Sequence, residues 1–199
     1  MKDEQAGSGA PESSVELDVG NIKGLAHPLR VKILGLLRLD GPATASGLAS
    51  RLGESSGATS YHLRQLEKFG FVVEESARGS ARERWWKAAH MSSHFDESSL
   101  ARNPESALLV GEYLHAIANG TRLRMDAWID ALPSMSEGWA KAGTISDWGL
   151  SLNEEELLSL RAEIEALAAK YPQHVAGAPL ETGRVFVGFQ VQLLPLERS

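Results

Sequence analysis

The amino-acid sequence predicts a protein of the α+β class that is mainly helical, and three observations lead to this class. Apolar residues recur at helical spacing on both sides of a tight turn at Gly53 and Glu54. Two runs rich in β-branched, aromatic and charged residues, 71–75 and 82–87, then flank a turn and predict a β-hairpin. Further along the chain, helical spacing returns and one alternating run follows. Helices followed by a hairpin form the winged helix-turn-helix arrangement, which we place at residues 18–90.

Two helices are predicted before the turn. Pro28 suits the first turn of the first helix, and Asp40, Gly41 and Pro42 end it. Its buried face is predicted to consist of Leu29, Ile33, Leu36 and Leu37. The same spacing recurs in the second helix with Ala45, Leu48, Ala49 and Leu52.

The helix predicted after the turn, at residues 55–69, has two unlike faces. One stripe is suited to packing and consists of Thr59, Leu63 and Leu66. The other is made of small or hydrogen-bonding residues, namely Ser55, Ser56, Gly57, Ser60, Tyr61 and Arg64. Small hydroxyl residues near a helix start let the backbone approach phosphates and base edges, and an arginine reaches a phosphate or a guanine. These features favour a recognition helix for DNA, with Thr59 either packed or in contact.

The hairpin at residues 71–88 is predicted to be the wing. Arg78 lies in its turn, and Arg82 and Arg84 lie on one face of its second strand, because alternate residues of a strand share a face. This placement suits a wing that follows DNA phosphates. The alternative is solvated charge that pairs with neighbouring glutamates.

Charge is unevenly divided along the chain, whose net charge is −6. Residues 1–18 carry a net charge of −4, and residues 91–199 carry −7. Residues 19–90 carry +5, from eleven basic and six acidic side chains. A basic module joined to an acidic one is expected when one part meets phosphate, and the boundary coincides with the end of the hairpin.

The remaining segments are assigned by composition and periodicity. Residues 1–17, rich in Gly, Ser, Glu and Pro, predict a disordered tail, and residues 91–103 predict a linker. Residues 104–199 predict a helical dimerisation region with one long helix that ends near Pro133 and needs a partner. A C-terminal β-strand is predicted from the apolar alternation of Val185, Val187, Phe189, Val191 and Leu193. A lone strand is unstable, so this one must pair with a partner that the sequence leaves open.

Three tryptophans lie in this acidic region, at Trp128, Trp139 and Trp148. Ligand pockets are mostly apolar, so these residues suit a pocket for a small-molecule effector. The favoured alternative is that they are ordinary core residues.

Four short stretches together resemble the ArsR-like winged helix-turn-helix transcription regulators, nearest to the actinobacterial branch. The resemblance covers about residues 19–90, and its specificity comes from the motifs in combination. The stretches are LAHPLR from Leu25, TSYHLRQL from Thr59, GFVVE from Gly70 and RERWW from Arg82.

The resemblance implies a homodimeric repressor of double-stranded DNA. Its recognition helices at residues 55–69 are expected in successive major grooves of a pseudo-palindromic operator, and its wings at residues 71–88 on the adjacent minor groove or backbone. Carried over to this chain, the recognition-helix positions are Ser56, Thr59, Ser60, Tyr61 and Arg64. The wing positions are Arg78, Arg82 and Arg84.

The chain departs from the metal-sensing members of that family. It has no cysteine, and residues 43–50, where such members carry ligands, hold none. His90, His94 and Asp96 have a spacing at which a zinc or nickel site is conceivable, but histidines in a Ser-rich linker are more often solvated. We therefore predict neither a metal nor a cofactor.

Other classes of protein find little support in the sequence. We expect no enzyme, because no Gly-x-Ser-x-Gly elbow, phosphate-binding glycine loop or pair of catalytic carboxylates is present. No apolar stretch suits a membrane helix or a secretory signal, so a cytoplasmic protein is expected. The main alternative function is a winged helix that contacts protein in a transcription-related assembly.

Overall fold

The computed structural model describes residues 12–76, 83–94, 102 and 104–196. The chain divides into two compact units. The first comprises residues 1–120 with 175–179, and the second comprises residues 121–174 with 180–199. The predicted α+β class, mainly helical with a winged helix-turn-helix, is confirmed.

Helix α1 (Pro28–Asp40) begins and ends where its local sequence dictates. The Nδ1 atom of His27, the N-cap residue, accepts a hydrogen bond from the backbone N–H of Leu29 at 3.1 Å. Proline at the first helical position loses no hydrogen bond, because that N–H has no partner within a helix. The helix stops at Gly41, whose φ of 84° lies in the left-handed region that favours glycine.

Helices α2 (Ala45–Leu52) and α3 (Ser56–Lys68) form the helix-turn-helix. Thr44 and Ser55 each cap the helix that follows, and each side-chain oxygen accepts a first-turn backbone N–H at 3.1 Å. Between the helices, Gly53 adopts a φ of 68°, so a glycine is favoured at this turn. The predicted turn and both helices are thus confirmed.

Three short strands form an antiparallel sheet beside these helices. They are β2 (Ala43–Thr44), β3 (Val72–Glu74) and β4 (Trp85–Ala88), in the order β2-β4-β3. Within the hairpin, Val73 pairs with Lys87. The predicted hairpin, formed by β3 and β4, is therefore present. Strand β4 is the central strand of the sheet, because it pairs with both β2 and β3.

A second sheet was not predicted. Strands β1 (Glu12–Glu16) and β5 (His90–His94) pair in parallel. The prediction of a disordered tail over residues 1–17 is wrong for β1, and the prediction of a linker over residues 91–103 is wrong for most of β5. The physical reason is Leu17, which is only 3% exposed and whose N–H donates to the last carbonyl of β5 at 2.7 Å. Burial and backbone pairing together offset the ordering entropy of this polar segment.

The hydrophobic core of the first unit lies where the helices meet the three-stranded sheet. Its fully buried large apolar side chains are Ile22, Leu25, Ile33, Leu37, Leu48, Leu63, Leu66, Phe71 and Val72. A short 3-10 helix (Ile22–Gly24) passes directly over the aromatic part of this core. An added Cβ at Gly24 would lie 2.6 Å from Cβ of Phe69, so the close approach requires glycine.

A part-buried polar network joins α1 and β5 to helix α4 (Ala107–Ala131). The Arg38 guanidinium donates from Nε to the His90 carbonyl and from a terminal nitrogen to Ser93 Oγ, both at 2.8 Å. Tyr113 of α4 is buried and also hydrogen-bonds Ser93. Burial lowers the pKa of Arg38 and raises the pKa of Tyr113. The first half of α4 is therefore held on the helix-turn-helix part of the chain by polar contacts as well as by Val110, which is buried.

The second unit contains the end of α4 and two further helices, α5 (Glu137–Ala142) and α6 (Glu154–Ala168). A capping box starts α6, because Asn153 and Glu156 each bind the other's backbone N–H, at 2.9 and 2.8 Å. None of this unit's described residues is buried. Even Trp139 and Trp148 are exposed, so the favoured prediction that they are core residues is wrong for the single chain.

The predicted C-terminal strand is not formed. Residues 185–194 have the alternation of a strand, but no strand is assigned to them. The reason is the absence of a partner, because a strand is stable only when its backbone groups pair with a neighbour. Among the described residues of the second unit there is no other strand with which they could pair.

The packing at Gly24 gives a test of the core. We expect Gly24→Ala to lower the free energy of unfolding by about 1–3 kcal/mol, because the added methyl overlaps an aromatic side chain. Gly35→Ala is the matched control, since no atom lies within 4 Å of its added Cβ and alanine favours α1, which should raise stability by about 0.5–1 kcal/mol. Urea unfolding of both variants measures the pair, and equal stabilities would contradict the packing described.

Candidate nucleic-acid interface

Helix α3 is anchored by one face and presents the other. Thr59, Leu63 and Leu66 are 0% exposed, as their shared stripe predicts. The hydroxyl of Thr59 donates to the carbonyl of Ser55 at 3.0 Å. Thr59 is therefore a packing residue, and its assignment to the DNA-contacting set is wrong because burial removes its side chain from the surface.

The opposite face of α3 is open to solvent. Its exposed members are Ser55, Ser56, Gly57, Tyr61 and Arg64, and Ser60 is half-buried. Tyr61 leaves 58% of its surface uncovered, which is unusual for a large aromatic residue. The structure thus places six of the predicted recognition-helix residues on one accessible face.

A groove of about 220 Å³ lies between α3, the start of α2 and the wing. It brings together three predicted residues, because Ser60 and Arg64 lie one turn apart on α3 and Arg84 joins them from the wing. The full lining consists of Thr44, Ala45, Ser46, Ser60, Arg64, Glu83, Arg84 and Trp86. The two arginines carry positive charge into a concave surface, which suits an anionic ligand.

The contribution of α2 to this groove was missed by sequence reasoning. Thr44 is the N-cap residue and Ala45 and Ser46 follow it, so the start of α2 lines the groove. Helix N-termini bind phosphates through unpaired backbone N–H groups and the positive end of the helix dipole. A hydroxyl residue just before an apolar helical run is a capping signal that could have pointed to this site.

The wing is described only in part. Arg84 lies 3.7 Å from Glu74, between Nε and Oε2, and 65% of its side chain is exposed. An exposed ion pair of this length contributes little, so the guanidinium stays available to a stronger anion. Arg78 and Arg82, the other two predicted wing residues, lie outside the described residues.

Trp86 lines the groove and is only 3% exposed, so it forms the floor of the groove. Its neighbour Trp85 is half-buried. The two neighbours point to opposite faces of β4, as strand geometry requires.

His62 is packed at the other edge of α3. Its ring centroid lies 4.4 Å from that of His27 and 5.2 Å from that of Tyr61. Its Nδ1 atom is buried and has no hydrogen-bond partner among the described residues. Desolvation, followed by His27 and Arg30, lowers the pKa of His62, while Glu54 opposes this shift. The geometry therefore supports a packing role for His62.

The described residues form neither a metal-binding cluster nor a membrane-spanning helix. No three His, Asp or Glu side chains come together as a metal site anywhere in the described ranges. His90 and His94 belong to β5, and Asp96 lies outside those ranges. No helix in the described part of the chain is long and apolar enough to cross a membrane.

Comparison with known proteins adds an independent observation. A family model described as a helix-turn-helix domain matches residues 25–75, which include α1, α2 and α3. No curated protein matches the sequence. The predicted helix-turn-helix is thus found by two routes.

Two solved structures are similar to parts of the chain. Reduced HlyU from Vibrio cholerae is 31% identical, over 34% of this chain and 66% of its own, with a TM-score of 0.29. A mutant of ZitR from Lactococcus lactis is 12% identical, over 72% of this chain and 73% of its own, also with a TM-score of 0.29. The match to HlyU thus spans just under two thirds of that protein. Neither TM-score is high enough to define the whole fold.

The family match and the geometry agree on the fold of this part of the chain. Residues 25–75 match a helix-turn-helix domain, and the three-stranded sheet makes the fold a winged helix-turn-helix. Strands β3 and β4 form the hairpin at the position of the wing.

The packing of His62 predicts a pH dependence of stability. Because its pKa is lower in the folded protein, the unfolded chain binds the proton more readily. Stability is therefore full above the ordinary value of 6.5 and is lost as the pH falls below it towards the lowered value. Unfolding of the wild type and of His62→Gln from pH 7.5 to 5 should show a weaker loss in the variant. His115→Gln, which removes an exposed histidine, is the control, and an identical loss in all three proteins would contradict the assignment.

Proposed function

We propose that the protein is a sequence-specific DNA-binding transcription regulator that acts as a cytoplasmic homodimeric repressor without catalytic activity. The recognition helix at residues 55–69 enters the major groove, and the wing at residues 71–88 contacts the backbone or the minor groove. The observation that carries the proposal is the groove that unites Arg64, Arg84 and the start of α2 beside the exposed face of α3. These are the groups that a DNA backbone and base edges require.

The groove supports a division of labour among its residues. A phosphate in it would accept hydrogen bonds from the first backbone N–H groups of α2 and meet the guanidinium of Arg84. Such contacts fix the register of the protein on the duplex but carry no sequence information. Ser56, Ser60 and Tyr61 on α3, with Arg64, are then free to read base edges.

A dimer is supported by the uncovered apolar side of α4. Leu114, Ile117 and Met125 are about 40% exposed and follow one another at helical spacing. A helix with such a seam packs well against an identical helix, since two-fold symmetry makes the same surface self-complementary. The repressor role rests on the resemblance to ArsR-like regulators, and so does the fit to a pseudo-palindromic operator.

A second candidate function is a winged helix that contacts protein. The exposed Tyr61 on α3 suits such a contact, because tyrosine is enriched at protein interfaces. The excess of basic over acidic residues in 19–90 favours DNA instead. A salt titration with random duplex separates the two, because phosphate binding weakens steeply with salt and most protein contacts do not.

The two arginines of the groove give a test of DNA binding. We expect Arg64→Ala and Arg84→Ala each to weaken operator binding by about 1–3 kcal/mol, or roughly five- to 150-fold. Arg84→Ala should also make the salt dependence shallower by about one unit, because one phosphate contact is lost. Fluorescence anisotropy with operator DNA at several salt concentrations measures both effects.

Arg51→Ala is the matched control for that experiment. Arg51 lies on α2 outside the groove and forms an ion pair with Asp40 at 2.6 Å. Its removal should leave binding unchanged. If neither groove variant binds more weakly than this control, the proposed reading surface is wrong.

The apolar side of α4 gives a test of the dimer. Ile117→Asp places a charge in the apolar seam of α4 and should convert the protein to a monomer with much weaker operator binding. Asn119→Asp adds the same charge on the far side of α4 and should stay dimeric. Light scattering after size exclusion gives the mass of each variant, and a dimeric Ile117→Asp protein would exclude this seam.

A further inference from the structure

The segment 185–194 makes one polar contact with its own unit and leaves most of its apolar side chains uncovered. With the Gln190 amide oriented to suit its neighbours, its oxygen accepts a hydrogen bond from the Arg124 guanidinium of α4 at 2.9 Å. In one set of alternate residues, Val185, Val187, Phe189 and Val191 are 44%, 70%, 62% and 44% exposed. In the other set, Phe186 and Leu194 are 45% and 67% exposed.

The backbone of this segment begins as a strand begins. A turn precedes it, in which the Arg184 N–H donates to the Glu181 carbonyl at 3.0 Å and Gly183 has a φ of 83°. The alternation that follows is typical of a half-buried strand. In the described part of the second unit no strand is available as its partner, and unpaired backbone groups next to an apolar stripe favour pairing with another strand.

We propose that residues 185–191 of this segment pair antiparallel with the same residues of a second copy of this chain, around a two-fold axis at Gly188. This inference rests on the proposed homodimer, because seven residues alone do not bury the roughly 800 Å² per partner that a stable interface needs. The strand pairing adds to the contact through α4 and joins the second units of the two chains in one sheet.

The side chains fit this register. With Gly188 on the axis, Val187 lies opposite the partner's Phe189, and Val185 lies opposite the partner's Val191. Pairs of β-branched residues with each other or with an aromatic ring are among those that stabilise antiparallel strands.

Charge and space are also compatible with a second copy. Residues 185–194 contain no charged side chain, so pairing two copies brings no like charges together. Arg184, just before them, falls opposite a glutamine. Glycine in a strand often marks a close approach of two backbones, and the backbone at Gly188 has only the end of the Gln190 side chain near it, 3.9 Å from an added Cβ.

The lack of native cysteine allows a direct test in the full-length protein. In an antiparallel pair, a residue on the axis faces its own copy at about 4.5–5.5 Å between Cα atoms, which a disulfide can span. One residue off the axis, the two copies are already roughly 8 Å apart, beyond disulfide reach. Gly188→Cys should therefore crosslink under mild oxidation several-fold more than Val185→Cys or Val191→Cys alone.

A mixture of two variants checks the register without any change at the glycine. Val185→Cys and Val191→Cys chains, mixed and allowed to exchange subunits, should crosslink to each other far more than either does alone. Ser151→Cys, on an exposed loop of the same unit, measures random collision. Crosslinking of Gly188→Cys and of the mixture at the level of this control would overturn the proposal.

The failure of this inference is distinguishable from the failure of the proposed function. If crosslinking fails while the wild type is a dimer that binds operator DNA, only the strand pairing is wrong. If the wild type is a monomer by light scattering, the proposed homodimer falls and the strand pairing falls with it.

Discussion

The packing of α3 against the core is the constraint on which the rest of the site depends. Thr59, Leu63 and Leu66 are fully buried, and successive residues of a helix are rotated by about 100°. Burial of this stripe therefore fixes the direction of every other side chain on α3. Turning the helix to present a different face would expose both leucines, at about 1.5–3 kcal/mol each. The orientation of Arg64 and its neighbours is thus a consequence of core packing.

The second constraint is strand β4, which holds the opposite wall of the groove. Its Trp86 pairs with Ala43 of β2 on one side and with Glu74 of β3 on the other. Because β2 leads directly into α2, the same strand positions the start of α2 and the wing. A buried tryptophan at this point also gives the groove an apolar floor.

Local periodicity explains which parts of the site could be predicted. The two faces of α3 follow from leucines at helical spacing, and the hairpin follows from its β-branched runs. The capping role of Thr44 could have been predicted, but the proximity of Thr44 and Ser46 to Arg84 could not, because it arises only when β2 pairs with β4. Strand β1 was missed for a similar reason, since its polar residues are ordered by the burial of Leu17. At residues 185–194 the alternation predicted a strand that the chain does not form, because a strand also needs a partner.

The geometry of α4 links a dimer to operator spacing. Val110 and Tyr113 are buried against the DNA-binding fold, and Tyr113 is tied through Ser93 to Arg38. Leu114 and Ile117 continue the same stripe of the helix, because they lie four and seven residues after Val110, and about 40% of each is exposed. If two copies meet through this side, α4 sets the separation of the two recognition helices, because no flexible segment lies between seam and core. Half-sites about one helical turn apart, roughly 34 Å, then require a fixed position of α4. In the proposed dimer, the Arg38 network would therefore help to set the operator spacing, because it fixes the position of α4.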